Sequence, residues 1–411
     1  MAELTETRSI PVAVRPRPVE WARRHLFGTW YDTALTMVFG GLFVYGATRL
    51  VGFLIRSDFE ILRVNLALFM VGAYPRAELW RPAAATVIVA ALIGYVAGSA
   101  SAAAQARAEE AGLPFHRARP KEVVARFWPV LAFIGVVLLL TSTPTPWLVV
   151  MSTLIAGVVG YLAGRGQPAP VRRFAWVWSV GLVAVAYLVL TGSGIGWDRW
   201  GGFHLNLFLT VAGIGLAFPF GLILALGRRS SLPAVRAVSI TYIEFIRGVP
   251  LITLLLMGIF ALGFFLPQQI RPGDVTRVLV AIVLFEAAYV AEVVRGGLQA
   301  VPRGQVEAAQ ALGLSPWKTT RLIVLPQALR ATIPAMVGQF ISLFKDTTLV
   351  VVVGLIDILG ASQAANSQPE FLAQGLHEVT LPFVGLAFWV GSYTMSREAR
   401  RLEKRLGVGE R

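Results

Sequence analysis

Cysteine is absent from the 411 residues, which excludes disulfides and thiolate metal sites. Histidine is scarce: His25, His116, His204 and His377 stand far apart, so no histidine metal cluster is expected. Charged residues make up only 15% of the chain, and a soluble protein of this length needs far more polar surface. No GxxxxGK[ST] phosphate loop occurs, so the chain is not expected to hydrolyse ATP. Without cysteines, and with isolated histidines, no catalytic cluster, metal site or bound cofactor is predicted.

Apolar sequence is what the chain has in abundance, at 56% hydrophobic residues and a mean hydropathy of +0.66. Runs of about 20 apolar residues recur, the length a helix needs to cross a bilayer. The expected fold is an all-α integral membrane protein of about ten transmembrane helices. Predicted spans are 33–55, 83–104, 127–141, 147–164, 174–191, 205–226, 246–266, 278–294, 333–355 and 381–396. The apolar run 64–73 is too short to span and is read as non-spanning, an interfacial position being one option. Ala and Gly in the second span predict close helix packing. Trp128, Trp147, Trp197 and Trp200 read as interfacial anchors.

The net charge of +14 would suit nucleic acid, but its distribution argues against that partner. Basic residues lie in short blocks between apolar runs, as they do on the cytoplasmic side of membrane proteins. With both termini inside, cytoplasmic segments hold 27 Lys and Arg and external segments 7; Arg49, Arg247 and Lys345, within or at the edges of spans, complete the 37. The basic, proline-bearing first 29 residues do not read as a secretory signal.

This topology puts one polar stretch, 307–327 (EAAQALGLSPWKTTRLIVLPQ), in the cytoplasm. It reads as a helical elbow. Gly313 suits a left-handed C-cap, Ser315 an N-cap and Pro316 the first helical position. Glu307 falls in the first turn, and Pro326 is expected to kink or stop the second helix.

Ionisable residues inside spans face protein or water-filled paths. Glu286 lies mid-span with Tyr289 on the same face, and Lys345 and Asp346 sit beside Thr347 and Thr348. Such a set offers donors and acceptors for a zwitterion, making these six residues candidates for a substrate path; pairing within the bundle is the alternative. Glu244 with Arg247 reads as a local ion pair or a gate-side contact rather than a binding site, and Glu292 with Arg295 as a local ion pair, both near span ends.

The spacing of Glu307, Ala308, Ala309, Gly313, Ile323, Leu325 and Pro326 resembles the EAA loop of bacterial ABC importer permeases. The flanking stretches YIEFIRGVPL (242–251), AYVAEVVRGGLQAVPRGQVE (288–307), LPQALRATIP and 344–349 are similar to the polar amino acid branch, which includes histidine, glutamine and glutamate systems. The resemblance covers roughly 192–400 and implies a five-helix type I ABC importer core there, with the EAA loop at 295–330 as the docking surface for a separate ATPase that uses ATP-Mg. It further implies a periplasmic amino-acid-binding protein, a second related permease and a bacterial inner membrane location. Residues 30–191 resemble the extension of the larger permease of general L-amino acid systems, including VNLALFMVGAYP at 64–75. A tail at 1–29 and another at 401–411 complete the expected organisation. A secondary active transporter of polar solutes is the competing reading; it leaves the elbow unexplained and predicts an internal repeat that the chain does not display.

Overall fold

The computed structural model describes residues 18–115, 120–141, 143–172, 174–267, 272–372 and 374–407. Arg8, Arg15 and Arg17 of the basic tail, His116, Arg117, Arg119, Arg173 and residues 408–411 lie outside the described residues. Among the described residues the only pairing of strand type is an isolated bridge between Gly202 and Asp357; all else regular is helical.

The chain forms two compact units, Met1–Asp58 and Phe59–Arg411. The first holds α1 (Pro18–Leu26) and α2 (Trp30–Arg56). Thr29 caps α2, its hydroxyl accepting from the Asp32 amide at 3.2 Å. No residue of α2 is buried, and it is apolar on every side, as suits a helix surrounded by lipid.

The second unit begins with α3 (Glu60–Val71), α4 (Trp80–Glu110), α5 (Pro120–Leu140), α6 (Thr145–Gly166), α7 (Ala169–Arg172) and α8 (Ala175–Thr191). The small residues expected to pack closely do so between α4 and α6. A Cβ on Gly94 or Gly98 would lie 2.1 Å from the carbonyl oxygen of Gly157 or Tyr161. A Cβ on Gly160 or Gly164 would meet Ala91 or Tyr95 oxygen at the same distance. Two GxxxG stripes therefore face each other backbone to backbone. The last carbonyls of α8 are satisfied from outside the helix: Tyr74 donates its hydroxyl to Leu190 O at 2.9 Å, and Arg81 donates to Val189 O at 3.0 Å.

The apolar run at 64–73 packs against protein on one face. It forms α3, whose Ile61, Leu62, Asn65, Leu66 and Phe69 are buried. Glycine explains the approach: at Gly72 (φ +63°) a Cβ would lie 2.4 Å from Gly201 Cα, so only hydrogen fits between the two backbones. Asn65 and Gln368 exchange side-chain amide hydrogen bonds of 3.1 and 2.7 Å, which removes the need for water.

The remainder comprises α9 (Gly202–Arg228), α10 (Pro233–Gly248), α11 (Leu251–Leu256), α12 (Leu262–Phe265), α13 (Asp274–Ala300), α14 (Arg303–Ala311), α15 (Pro316–Thr319), α16 (Leu325–Asp346), α17 (Ile358–Asn366) and α18 (His377–Leu406). Predicted span 246–266 is not one helix. α10 and α11 meet at 103°, with Val249 extended at φ −103°, ψ 133° before Pro250. The residue before a proline avoids helical geometry, which sets the break. After α11 the chain widens into a π-helical turn, Met257–Ala261, and Arg277 donates to its Ile259 carbonyl at 3.0 Å.

Seven described helices are long and apolar enough to cross a membrane, or eight with the bent pair counted as one span. The predicted spans 174–191 and 278–294 correspond to α8 and α13. α8 has 17 residues, about 26 Å at 1.5 Å per residue. α13 has 27 residues but carries Asp274, Arg277, Glu286, Glu292 and Arg295. It is enclosed by protein, with fifteen of its residues buried.

Trp200, read as an interfacial anchor, is 4% exposed. It packs edge-on to Phe208 at 4.8 Å because the glycines that follow press its loop onto the helix ends. Trp128 keeps an exposed face and lies 6.3 Å from Trp389.

Replacing Gly98 with Leu should force α4 and α6 apart. The expected result is a loss of about 1–3 kcal/mol, seen as a lower unfolding midpoint in detergent. Gly135→Ala, where a Cβ meets nothing within 4 Å, should leave the midpoint unchanged.

Candidate functional site

The elbow is built as its residues dictate at the joint. α14 ends in a Schellman pattern: Gly313 N–H donates to Gln310 O at 2.9 Å and Leu314 N–H to Ala309 O at 3.1 Å. Gly313 holds φ +78°, a left-handed conformation that glycine adopts without strain. Ser315 caps α15 by accepting from Lys318 N–H at 3.5 Å, with Pro316 next.

Pro326 does not stop the second arm. α15 leads through a π-helical stretch, Thr320–Val324, into α16, and Pro316–Val353 forms one helical run of 38 residues. Pro326 sits in the first turn of α16, where the widened π turn just before it accommodates the missing N–H. The second arm is thus the beginning of a membrane helix rather than a separate short helix.

The motif residues divide between two sides. Ala309 is buried, and Ile323 and Leu325 are half-buried. Val324, between them, packs with Val290, Ala291, Val294 and Leu298. Glu307, Ala308, Gly313 and Pro326 are exposed. Beside them stand Leu312 at 83% and Trp317 at 64% exposure, large apolar side chains on an otherwise polar corner.

The six intramembrane candidates are not gathered into one site. Glu286 is 1% exposed, and Gln339 Nε2 on α16 donates to its two carboxylate oxygens at 3.2 and 3.1 Å. Tyr289 packs on Phe285 with ring centroids 4.7 Å apart, and the Arg247 guanidinium lies 5.5 Å above its ring. Lys345 is exposed, while half-buried Asp346 accepts from the Ser342 hydroxyl at 3.5 Å. Thr348 donates to Lys345 O at 2.8 Å.

Thr347 belongs to a different, fully buried group. Asn206 Nδ2 donates to Thr347 Oγ1 and to Asp357 Oδ2, both at 3.0 Å. Asn206 Oδ1 accepts from Ile358 N–H at 3.1 Å, and Asp357 caps α17 by accepting from Gly360 N–H at 2.8 Å. Burial pushes the Asp357 carboxyl above its usual range, opposed by the Asn206 amide and the backbone donors. This knot joins the start of α9, the end of α16 and the start of α17.

Sequence reasoning missed Asn206, Gln339 and Asp357. Asn206 and Gln339 carry no charge to stand out in an apolar run. Asp357 did have a signal, an acid placed where it can cap the helix that follows.

One of the two ion pairs expected near the elbow forms with a different partner. Glu244 pairs with Arg228 at 2.8 Å, leaving Arg247 to Tyr289, because α9 ends beside α10. Glu292 accepts from Arg295 Nε at 2.8 Å, as expected from their spacing, and also lies 3.5 Å from Arg228.

Gln339→Leu removes the donor to a buried carboxylate. A loss of roughly 1–3 kcal/mol or more is expected, measured as a fall in the unfolding midpoint. Adding Glu286→Leu should recover most of it, because no unpaired polar group then remains.

Residues 217–408 match the family described as binding-protein-dependent transport system inner membrane component. The chain is 42% identical over 262 residues to the inner membrane amino-acid ABC transporter permease protein YhdY of Escherichia coli (strain K12), covering 62% of this chain and 71% of that one. It is 42% identical over 258 residues to the glutamate/glutamine/aspartate/asparagine transport system permease protein BztC of Rhodobacter capsulatus, covering 62% of this chain and 59% of that one. Among solved structures, an amino acid ABC transporter crystallised with histidines is 30% identical, with 49% of this chain and 90% of that chain covered and a TM-score of 0.43. By its identity to these relatives and its matched segment, the chain belongs to the inner membrane permeases of binding-protein-dependent ABC transport systems.

Proposed function

We propose that this chain moves amino acids inward across a bacterial inner membrane, with both termini cytoplasmic, and that its elbow receives the stroke of a separate ATPase. A periplasmic binding protein would deliver the amino acid, and a second related permease would complete the path. The names of the relatives support the cargo, since both are amino-acid or acidic-amino-acid and amide transport permeases.

The observation that carries the coupling role is the continuity of the second arm with α16. A push on the exposed Trp317 corner is delivered along one helical run to Gln339, Lys345 and Asp346. Rigid elements of this kind transmit switching motions because packed cores shift between discrete arrangements rather than deforming smoothly. ATP-driven closure of the partner would then favour one of two access states. Glu307, Ala308 and the apolar Leu312 and Trp317 supply the docking surface, with Ala309, Ile323 and Leu325 anchoring it from within.

The domain organisation follows from the same reading: an amino-terminal extension at 30–191, a permease core at 192–400 with the EAA loop at 295–330, and tails at 1–29 and 401–411. Contacts from α3 and α5 support a bracing role for that part of the extension. Arg126 forms an ion pair with Glu398 on α18, and Trp128 lies against Trp389 and Tyr393.

Gly313 provides the test of coupling. Open space surrounds it, so a side chain there is opposed only by the left-handed backbone. Gly313→Val should abolish uptake and uncouple ATP hydrolysis while the subunit still inserts. Gly313→Asn, which tolerates that backbone, should retain most uptake. Normal uptake by the valine variant would refute the coupling role.

Glu286 and Asp346 test the path. In reconstituted transporter, Glu286→Gln and Asp346→Asn should raise the apparent KM or lower the maximal rate several-fold. Unchanged transport kinetics in both variants would remove these two residues from the path.

A further inference from the structure

A cleft of about 320 Å³ opens at the root of the elbow, between the end of α9 and the start of α14. Arg229, Gln299 and Arg303 line it beside the apolar Leu298, Val301 and Val306. Arg229 follows the last residue of α9 and donates to Leu298 O at 3.4 Å, which holds its guanidinium at the cleft wall. Arg303 opens α14, three residues after the end of α13.

Among the described residues, neither guanidinium has a carboxylate within ion-pair distance. The neighbouring Arg228 shows the contrast, since it reaches both Glu244 and Glu292. Two cations thus share a partly apolar recess without a counter-ion, an arrangement completed by an anion. Position narrows the choice. Both arginines follow the ends of predicted spans, 205–226 and 278–294, and basic recesses between membrane helices accept phosphate-bearing headgroups. Guanidinium groups suit phosphate because they present paired N–H donors in a fixed fork.

We propose that this cleft binds a phosphate group through Arg229 and Arg303. A phosphate held there ties the end of α9 to the first turn of α14 and stiffens the corner from which the elbow projects. An anionic phospholipid and free phosphate both supply this chemistry, and the apolar half of the lining favours the lipid.

The test uses the full chain and needs no transport. Its unfolding midpoint is measured in nanodiscs of phosphatidylcholine, with and without phosphatidylglycerol, and in neutral detergent with and without inorganic phosphate. Phosphatidylglycerol should raise the midpoint, and R229Q/R303Q should lose that rise while matching the parent in phosphatidylcholine alone. R236Q, which removes an exposed cation on α10 outside the cleft, should keep it. A rise with inorganic phosphate that the double variant also loses would identify the soluble anion as a ligand of the same site. If the double variant is destabilised in phosphatidylcholine alone, the exposed single variant R303Q decides, with a reduced rise expected. Persistence of the full rise in the arginine variants, or no rise in the parent with either probe, overturns the proposal.

Discussion

A helix that carries Glu286, Glu292 and Arg295 through a bilayer cannot face lipid. A charged side chain at the membrane centre costs roughly 3 kcal/mol on the insertion scale, and α13 bears several ionisable groups along its length. The structure meets this constraint by enclosure: α13 packs among α9, α10, α11 and α16, with Glu286 held by Gln339. The charges that set α13 apart from an ordinary membrane span are therefore matched by burial of fifteen of its residues.

Enclosure of α13 also fixes the elbow. α14 leaves α13 after a short linker, and the returning arm re-enters as α16, the helix that supplies the amide to Glu286. Both ends of the elbow are thus attached to one packed pair. The buried knot of Asn206, Thr347 and Asp357 ties the far end of this helical run to α9 and α17. A fully satisfied polar network of this kind specifies a unique arrangement, since any slip strands a buried donor or acceptor.

Close backbone approach governs the rest. Gly94, Gly98, Gly160 and Gly164 let α4 and α6 meet without side chains between them, and Gly72 with Gly201 seats α3 against the start of α9. Apolar helices gain little from the hydrophobic effect inside lipid, so packing and hydrogen bonds must hold them together. The exchanged amides of Asn65 and Gln368 and the ion pair of Arg126 with Glu398 supply directional contacts where α3 and α5 meet the later helices.

The amino-acid sequence by itself determined the membrane class, the joint of the elbow at Gly313 and Ser315, and the close packing of the Ala- and Gly-rich helix. These are local matters of run length, backbone freedom at one residue and side-chain size, all written in neighbouring positions. Tertiary structure alone decided that Asn65, Leu66 and Phe69 of the run at 64–73 are buried, that Pro326 lies inside a continuous helix, and that Glu244 pairs with Arg228. It also decided that Thr347 joins a sealed knot rather than the other candidate residues. The reason is the same in each case. Burial and pairing depend on which residue arrives from a distant part of the chain, and Gln339, Asn206 and Gln368 have no feature in their own neighbourhood that names their partners.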